Sequence, residues 1–410
     1  MTAELARHVA DRLDSLASGM DSVGVALSGG GDSMALMHLV RDWAGPRRVM
    51  AATVDHGLRR ESADEAAFAG RAAAALGIDH EVLNWTREGA GNLMASARQA
   101  RLRLLSDWAQ RHGLQAVLLG HTQDDQAETL LMRLARGAGV DGLSAMAESR
   151  ASHDVLWLRP LLDTPRIVLR RYLEARGVRW IDDPSNLNTD FERVRARQAL
   201  AALDIPAASL AQVAQNMAQA RTALQHSATL ATVEARAVHG SLTLQRAEFE
   251  REPEEIRRRI LVGALRWMTG ADYPPRREKL AQLLAGIADG TRRQTLEGVI
   301  VTVAGPTLHL MREPAAALRA GDLRSDGDIW DRRWRIHGLG PGQHVAALGY
   351  GELAALNWRD SGLLRHEAAA TPAIWQADAL IAAPLLHAAD NVRATPLREL
   401  GHFRAMLISH

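Results

Sequence analysis

Two patterns of apolar residues alternate along the first 160 residues of the chain. Short continuous apolar runs predict buried strands over 23–27, 48–56, 80–85 and 115–121. Between them, apolar residues at helical spacing predict helices over 33–45, 61–77, 92–113 and 124–137. Strand and helix in this alternation indicate βαβ units, and therefore a parallel sheet with helices on both faces.

The pattern changes after about residue 200. Residues 207–238 have the pattern of one or two helices, and 254–270 of an amphipathic helix. Apolar runs at 241–249 and 296–313 predict strands, and the second run forms a hairpin that turns at 304–306.

Small and polar residues at 313–328 predict a linker. Together with the change near residue 200, this linker predicts three domains, which agrees with a length of 410 residues. The predicted domains are an α/β catalytic domain at 1–200, a mainly helical domain at 201–325 and a small α+β C-terminal domain at 326–410.

Composition narrows the class of protein. Hydrophobic residues make up 47% of the chain and charged residues 24%, which is typical of soluble globular proteins. No segment is long and apolar enough to span a membrane, and the start of the chain predicts an amphipathic helix instead of a signal peptide. We therefore expect a cytoplasmic protein with no membrane partner. The absence of cysteine excludes disulfides, cysteine-ligated metals and a cysteine nucleophile.

A glycine-rich loop follows the first predicted strand. It consists of Ser28, Gly29, Gly30, Gly31, Asp32 and Ser33. The loop is neither a P-loop, which needs a lysine after its last glycine, nor a G-x-G-x-x-G fingerprint. Glycines before a helix allow backbone amides to converge on an anion. A carboxylate beside a phosphate needs a bridging cation, so Asp32 is a candidate Mg²⁺ ligand. The loop alone leaves open an ordinary turn with an Asp or Ser cap.

Further candidate residues lie at the carboxyl ends of the second and fourth predicted strands, namely Asp55 with His56, and Gly120 with His121. Ligands of parallel sheets bind beyond the carboxyl ends of the strands, so we expect these residues and the glycine loop to line one crevice. His121 is either an ordinary polar residue at a strand end or a substrate contact, and the sequence leaves both open.

Acidic residues share one face of the helix predicted over 124–137. Asp124 and Glu128 lie four residues apart, and Asp125 and Glu128 lie three apart. Such carboxylates can hold a cationic substrate. The alternative is helix capping, because Thr122 with Asp125, and Asp125 with Glu128, both have the spacing of a capping box. The spacing does not decide between the two.

Four motifs in order resemble the N-type ATP pyrophosphatases and, within them, the tRNA(Ile)-lysidine synthase family. They are SGGGDS at 28–33, DHGLR at 55–59, GHTQDDQAETLLMRLARGAGVDGLSAM at 120–146, and RPLL at 159–162 with Arg166 and DDPSNLNTDFERVRAR at 182–197. The resemblance is dense from about residue 22 to 200 and looser beyond. Val194 stands where the family usually has Asn, so a polar contact by that Asn is not expected here.

The resemblance implies an adenine nucleotide alpha hydrolase-like fold and an ATP-dependent ligase that forms a carbon–nitrogen bond. Its substrates would be L-lysine, ATP and a tRNA(Ile) with a CAU anticodon. ATP would adenylate the C2 oxygen of the wobble cytidine and release pyrophosphate. The ε-amine of lysine would then displace AMP, and the tRNA would read AUA instead of AUG.

The resemblance also implies roles for particular residues. ATP binding is assigned to Ser28, Gly29, Gly30, Gly31, Asp32, Ser33, Asp55 and His56, with Mg²⁺ at Asp32. Catalysis is assigned to Asp32, His121, Asp125 and Glu128, and lysine binding to Asp124, Asp125 and Glu128. Contacts to tRNA are assigned to Arg133, Arg136, Arg193 and Arg197, with the α-phosphate or a solvated helix face as alternatives. The domains beyond residue 200 would recognise the rest of the tRNA, and a homodimer is left open.

Other functions fit parts of the sequence. A tRNA thiolase with the same ATP loop, or a glutamine-dependent ligase, commonly needs a cysteine that this chain lacks. A non-catalytic tRNA-binding protein would have no need of the intact loop at 28–33. Release of AMP that depends on lysine separates these functions from one another.

Overall fold

The computed structural model describes residues 2–57, 61–86, 93–182, 188–387 and 391–408. Two parts of the quoted motifs lie outside these residues, namely 58–59 of DHGLR and 183–187 of the stretch at 182–197. Contacts divide the chain into two compact units, Met1–Arg221 and Thr222–His410.

The first unit alternates strands and helices. Its strands are β1 (Ser22–Ala26), β2 (Arg48–Asp55), β3 (Asp79–Asn84), β4 (Ala116–Leu118), β5 (Ser149–Ser152) and β6 (Val155–Leu158). Its helices are α1 (Thr2–Leu16), α2 (Gly31–Trp43), α3 (Ser62–Ala75), α4 (Leu93–Arg111), α5 (Gln123–Leu134), α6 (Val140–Leu143), α7 (Arg166–Ala175) and α8 (Glu192–Ala202). A further helix, α9 (Ala207–Leu230), contains the boundary between the units.

Six strands form one sheet in the order β3-β2-β1-β4-β6-β5. The pairs β1–β2, β1–β4, β2–β3 and β4–β6 are parallel, and β5 is antiparallel to β6. This arrangement confirms the α/β prediction for the first unit. The edge hairpin β5–β6 extends the sheet beyond the strands that the apolar runs predict.

Strand β1 lies inside the sheet and is buried on both faces, as its apolar composition requires. Val23 and Val25 pack into one apolar cluster, which also contains the buried residues of α1 and α2. Ala26 packs into a second cluster on the other face, around the fully buried Trp108. Alternate residues of the strand therefore serve two separate cores.

The second unit contains three antiparallel sheets. Its strands are β7 (Arg236–Val238), β8 (Ser241–Gln245), β9 (Arg293–Leu296), β10 (Val299–Ala304), β11 (Thr307–Arg312), β12 (Ile329–Trp330), β13 (Trp334–His337), β14 (Gln343–Ala347), β15 (Pro372–Gln376), β16 (Ala379–Ala382) and β17 (Arg393–Pro396). Their orders are β7-β8-β11-β10-β9, β12-β13-β17 and β14-β15-β16. Its helices are α10 (Arg246–Arg251), α11 (Glu254–Thr269), α12 (Arg277–Ala288), α13 (Pro314–Leu318), α14 (Arg365–Ala369) and α15 (Leu400–Ile408).

The end of the chain packs back onto the middle of the second unit. Phe403 and Leu407 of α15 are buried in the same cluster as the apolar face of α11. Gly263 of α11 lies so close that a Cβ there would be 2.6 Å from Leu407. The domain at 201–325, predicted to be mainly helical, also contains the five-stranded sheet β7-β8-β11-β10-β9. The predicted domain boundaries at 200 and 325 stay predictions.

Three local predictions beyond residue 200 are wrong in detail. The helical pattern predicted over 207–238 ends at Leu230, and Arg236–Val238 form the strand β7. The strand predicted over 241–249 ends at Gln245, and the chain continues as the helix α10. The predicted linker at 313–328 contains the helix α13, whose first residue is Pro314, a favourable first position for proline. Over the described ranges, no helix combines the length and apolar character needed to cross a bilayer.

The core around β1 predicts a sharp effect of one methyl group. A Cβ on Gly24 would lie 2.6 Å from the ring of Trp108 and 2.9 Å from Leu114. Because Trp108 is fully buried, Gly24→Ala should lower the free energy of unfolding by about 1–3 kcal/mol. Gly139→Ala is the control, since nothing lies within 4 Å of its Cβ. Urea unfolding of both variants measures the difference, and equal midpoints would contradict the packing described here.

Candidate active site

The loop at 28–33 joins β1 to α2 and is held by its own serines. The Ser33 hydroxyl donates to the Gly30 carbonyl at 2.9 Å and accepts from the Ser28 amide at 3.1 Å. Gly29 has φ +78°, a conformation that side chains rarely adopt. No side chain caps the amide groups at the start of α2, which begins at Gly31. The capped turn, one alternative for this loop, is therefore not formed, and these amides are available for an anion.

Neighbouring backbone fixes the loop from two sides. A Cβ on Gly120, beyond the end of β4, would lie 3.1 Å from backbone atoms of Asp32 and Ser33. On the other side, the Ile181 amide donates to the Gly29 carbonyl at 2.9 Å. Gly120 thus permits a close approach, because a Cβ here would require the loop backbone to shift by a few tenths of an ångström.

The start of α5 forms one of the two capping boxes that its spacing allows. The Thr122 amide and hydroxyl both donate to Oδ2 of Asp125, at 2.8 and 2.9 Å. The Asp125 amide lies 3.4 Å from the Thr122 hydroxyl. This cap occupies only one oxygen of Asp125, so the other oxygen, Oδ1, remains for a second partner.

That second partner is Arg166, the first residue of α7. Its side chain donates to three carboxylates, from Nε to Asp32 Oδ2 at 3.0 Å, from Nη2 to Asp125 Oδ1 at 3.1 Å and from Nη1 to Glu128 Oε1 at 3.5 Å. Its backbone amide donates to Asp124 Oδ2 at 2.8 Å. One guanidinium therefore joins the glycine loop to the acids of α5. The family motif contains this arginine, but the sequence analysis assigned it no role.

Glu128 is the most deeply buried acid of the site, with 2% of its side chain exposed. Its Oε1 also accepts from Arg197 of α8, whose Nε and Nη2 both lie at 2.9 Å. Its Oε2 lies 4.0 Å from Nε of Arg193 and has no hydrogen-bond partner within the described part of the chain. Glu128 is thus neutralised by arginines, while one of its oxygens can still accept a hydrogen bond.

The environment shifts the two remaining carboxyl groups in opposite directions. Burial raises the pKa of Asp32 above its usual range, although Arg166 opposes this. Burial also raises the pKa of Asp125, but Arg166, Arg193 and the hydrogen bond from the Thr122 amide lower it, and its net pKa lies below the usual range. The physical reason for the difference is that Asp125 has two cations nearby and hydrogen bonds from Thr122, whereas Asp32 depends on the shared Arg166.

His121 lies between the loop and α5 and is uncharged at neutral pH. Burial lowers its pKa to about 3, and the positive charges of Arg159 and Arg193 contribute to the shift. Its Nδ1 is buried and has no hydrogen-bond partner among the residues described. The imidazole can therefore act as a hydrogen-bonding group, but not as a charged one.

These groups surround a cavity of about 890 Å³, within the usual range for small-molecule sites. The sequence-predicted residues that line it are Ser28, Gly30, Gly31, Asp32, Ser33, His121, Asp125, Glu128, Arg193 and Arg197. Residues without an assigned role also line it, including Arg101, Arg166, Arg170, Phe191 and Val194. Val194 presents an apolar wall at the position where the family usually has Asn.

Six other predicted residues do not line this cavity, namely Gly29, Asp55, His56, Asp124, Arg133 and Arg136. Asp55 accepts from the Gly57 amide at 2.8 Å, and His56 stacks edge-on against Trp85. The Arg133 guanidinium donates to two backbone carbonyls at 142 and 145, each at 2.8 Å. Arg136 pairs with Glu192 on the protein surface.

Comparison with known proteins gives consistent matches. Residues 1–203 match the PP-loop domain family. A tRNA(Ile)-lysidine synthase of Ruegeria pomeroyi is 43% identical over 95% of this chain and 94% of its own. The tRNA(Ile)-lysidine synthase of Wolbachia sp. subsp. Brugia malayi is 34% identical over 82% of this chain and 81% of its own. The tRNA(Ile)-lysidine synthase of Bradyrhizobium diazoefficiens is 39% identical over 73% of this chain and 91% of its own. Among solved structures, the U34-tRNA thiolase NcsA of Methanococcus maripaludis aligns over 53% of this chain and 77% of its own, with TM-score 0.46 and 18% identity.

The contacts of Arg166 predict a large loss of stability on its removal. Arg166→Met leaves Asp125 and Glu128 without their shared cation, and breaking a buried ion pair of this kind should cost about 3 kcal/mol of unfolding free energy at pH 7. Arg170→Met on the same helix removes only an exposed pair with Asp182 and should cost less than about 1 kcal/mol.

The same pair of variants gives a pH dependence with a defined sign. Because the folded-state pKa of Asp125 is lowered, its ion pair stabilises the protein above the unfolded pKa of about 3.9 and is lost as pH falls through the folded value. The gap between wild type and Arg166→Met should therefore narrow below about pH 4. Chemical denaturation at several pH values measures this gap, and a pH-independent gap would show that charge is not its cause.

His121 predicts a second pH effect of the same sign, in a higher pH range. Because its pKa is near 6.5 in the unfolded chain and about 3 in the folded one, only the unfolded chain binds a proton here at pH 5. Acidification from pH 7 to 5 should therefore destabilise wild type by about 1–2 kcal/mol more than His121→Gln. The other histidines are common to both proteins and cancel in the difference. Parallel unfolding curves at both pH values would contradict a buried, neutral His121.

Proposed function

The chain belongs to the tRNA(Ile)-lysidine synthase family, and from this premise we propose that it joins lysine to C2 of the wobble cytidine in a tRNA(Ile) with a CAU anticodon. The reaction consumes ATP and releases pyrophosphate and AMP, and the product tRNA reads AUA instead of AUG. One observation carries the proposal. A single cavity joins the anion-binding loop at 28–33 to two buried carboxylates, Asp125 and Glu128.

The loop suits the first half-reaction. The C2 oxygen of cytidine attacks the α-phosphorus of ATP, and the bond to pyrophosphate breaks. The uncapped amides at the start of α2 and the hydroxyls of Ser28 and Ser33 can hold the leaving pyrophosphate. Asp55 and His56 follow the neighbouring strand β2, and we assign them to the nucleoside end of ATP.

The residues present fit a Mg²⁺ ion that accompanies ATP. Such an ion needs only one or two protein carboxylates, because phosphates and water complete its shell. Asp32 in the loop supplies one, and within the described ranges no group of three or more His, Cys, Asp or Glu is arranged for a metal held by protein alone. When bound, Mg²⁺ neutralises the phosphate oxygens of the leaving group.

The acids of α5 suit the second half-reaction. Asp125 and Glu128 would bind the ammonium of lysine and orient its amine, and Oε2 of Glu128 is available to accept from it. The ε-ammonium first releases one proton to water. The free amine then forms a bond to C2 and releases a second proton to water, while the C2–O bond breaks and AMP departs. The uncharged His121 would donate or accept a hydrogen bond at the reacting base.

Contacts to tRNA are proposed for the arginines around and beside the cavity. Arg193 and Arg197 line it and are 40% and 42% exposed, so they can reach a phosphate of the anticodon loop. Arg136 is more exposed and lies farther out. Arg133 would act through the turn at 142–145 that it holds. We further propose that residues 201–325 and 326–410 recognise the rest of the tRNA, and that the reaction takes place in the cytoplasm.

The proposed function is tested with the full chain, ATP, Mg²⁺, L-lysine and two transcripts of one tRNA(Ile), with a CAU or a GAU anticodon. We expect lysine to be incorporated, and AMP to be released, only with CAU and only when lysine is present. AMP release without tRNA, or equal modification of the GAU transcript, would contradict the proposal.

The assignment of Glu128 makes a specific kinetic prediction. Glu128→Gln keeps the shape of the side chain but removes the charge that pairs with the ammonium. Loss of one charge-assisted hydrogen bond should raise the lysine concentration needed by about ten- to hundred-fold. Adenylation does not need lysine, so adenylated tRNA should accumulate at low lysine. Product formation against lysine concentration, with mass analysis of the tRNA, measures both effects.

A matched control and a melting curve separate binding from folding. Glu148→Gln removes an exposed acid that pairs with Arg12 outside the cavity and should leave the lysine curve unchanged. If Glu128→Gln lowers the melting temperature but leaves its lysine curve unshifted, Glu128 is a structural residue and not a lysine ligand.

A further inference from the structure

The three carboxylates at the centre of the site already have cationic partners in the absence of substrate. Asp32, Asp125 and Glu128 contact or face three arginines, namely Arg166, Arg193 and Arg197. A lysine ammonium that enters the site must therefore compete with a guanidinium for its carboxylate.

Arg166 differs from the other two arginines because it holds all three carboxylates. It is 18% exposed, whereas Arg193 and Arg197 are 40% and 42% exposed, and among the described residues their ion pairs are with Glu128. Under the proposed function, Asp32 must accept the cation of ATP, and Asp125 with Glu128 must accept the ammonium of lysine. The Arg166 guanidinium therefore occupies the positions of both substrate cations at once.

We propose that Arg166 couples the two substrates, so that lysine binds well only after the nucleotide. This inference rests on the proposed function and adds an order of binding to it. ATP brings phosphates to the loop at 28–33, next to the Asp32 that Arg166 holds. The phosphates attract the guanidinium away from Asp32, which would then hold the cation of ATP. Asp125 and Glu128 then lose their internal cation and accept the ammonium in its place.

A fixed structural role for Arg166 would have different consequences. If Arg166 only held the loop and α5 together, its removal would weaken lysine binding to the same degree with and without nucleotide. A coupling residue instead opposes lysine only in the nucleotide-free enzyme. The ratio of the lysine affinities with and without nucleotide therefore separates the coupling role from the structural role. By linkage, the factor by which nucleotide tightens lysine binding equals the factor by which lysine tightens nucleotide binding.

The experiment titrates L-lysine by calorimetry into the full chain, alone and with Mg²⁺ and α,β-methylene-ATP, an analogue that cannot be cleaved at the α-phosphorus. In wild type we expect the nucleotide to tighten lysine binding by about tenfold or more. Without nucleotide, Arg166→Gln should bind lysine more tightly than wild type does. Its ratio of lysine affinities with and without nucleotide should lie within about twofold of one. Arg171→Gln, an exposed arginine of the same helix outside the cavity, should keep the wild-type ratio.

A second variant decides the matter if Arg166→Gln does not fold. Arg166→Lys keeps one positive charge, but a single ammonium cannot span three carboxylates, so the ratio should fall at least about threefold. The inference is overturned if wild type shows no coupling, or if the variants weaken lysine binding in parallel and keep the ratio. A wild-type protein that binds nucleotide but no lysine in either state would overturn the proposed function as well. A protein that ligates lysine without coupling would overturn the inference alone.

Discussion

The geometry of the site depends on one guanidinium. Arg166 lies within 3.5 Å of carboxylate oxygens on Asp32, Asp125 and Glu128, which come from two different helices. Without a cation between them, three like charges in a partly buried space would repel strongly, because screening by water is weak there. The ends of α2 and α5 can approach each other at the cavity because Arg166 compensates this repulsion.

The parallel sheet explains why these three groups meet. Strands β1, β4 and β6 are neighbours, and α2, α5 and α7 are helices that follow them in the chain. The amino ends of those helices therefore lie together beyond the carboxyl ends of the three strands. Acids are favourable at helix amino ends, whereas an arginine as the first residue of α7 is unfavourable by itself. Its position becomes favourable because the acids of the two neighbouring helix ends surround it, including Asp124 on its backbone amide. Such a conflict between local preference and structure is typical of functional sites.

Periodicity predicted the strands and helices up to residue 137 well, because each of them is defined by its own residues. The loop at 28–33 and the acids of α5 were found for the same reason. The later elements β5, β6, α6, α7 and α8 had no predicted counterpart. Arg166 was missed as a site residue because its partners Asp32 and Asp125 lie 134 and 41 residues away, and no local pattern encodes such a contact. Asp55 and His56, at the end of β2, were expected to line the cavity but do not. Strand β2 lies on the side of β1 away from β4 and β6. The residues of a single strand do not determine the order of strands in the sheet.

The balance of charge also fits a reaction in two steps. The first substrate, ATP, is an anion, and the lysine that follows is a cation at neutral pH, so one cavity must accept opposite charges in turn. A site with fixed excess charge would favour one substrate and oppose the other. Arginines paired with carboxylates avoid this problem, because a guanidinium can exchange a carboxylate for a phosphate of similar geometry. Each exchange leaves a carboxylate ready for a cation. Under the coupling proposed above, the ion pairs around Glu128 and Asp125 would offer a cation to the phosphates first and carboxylates to the ammonium afterwards.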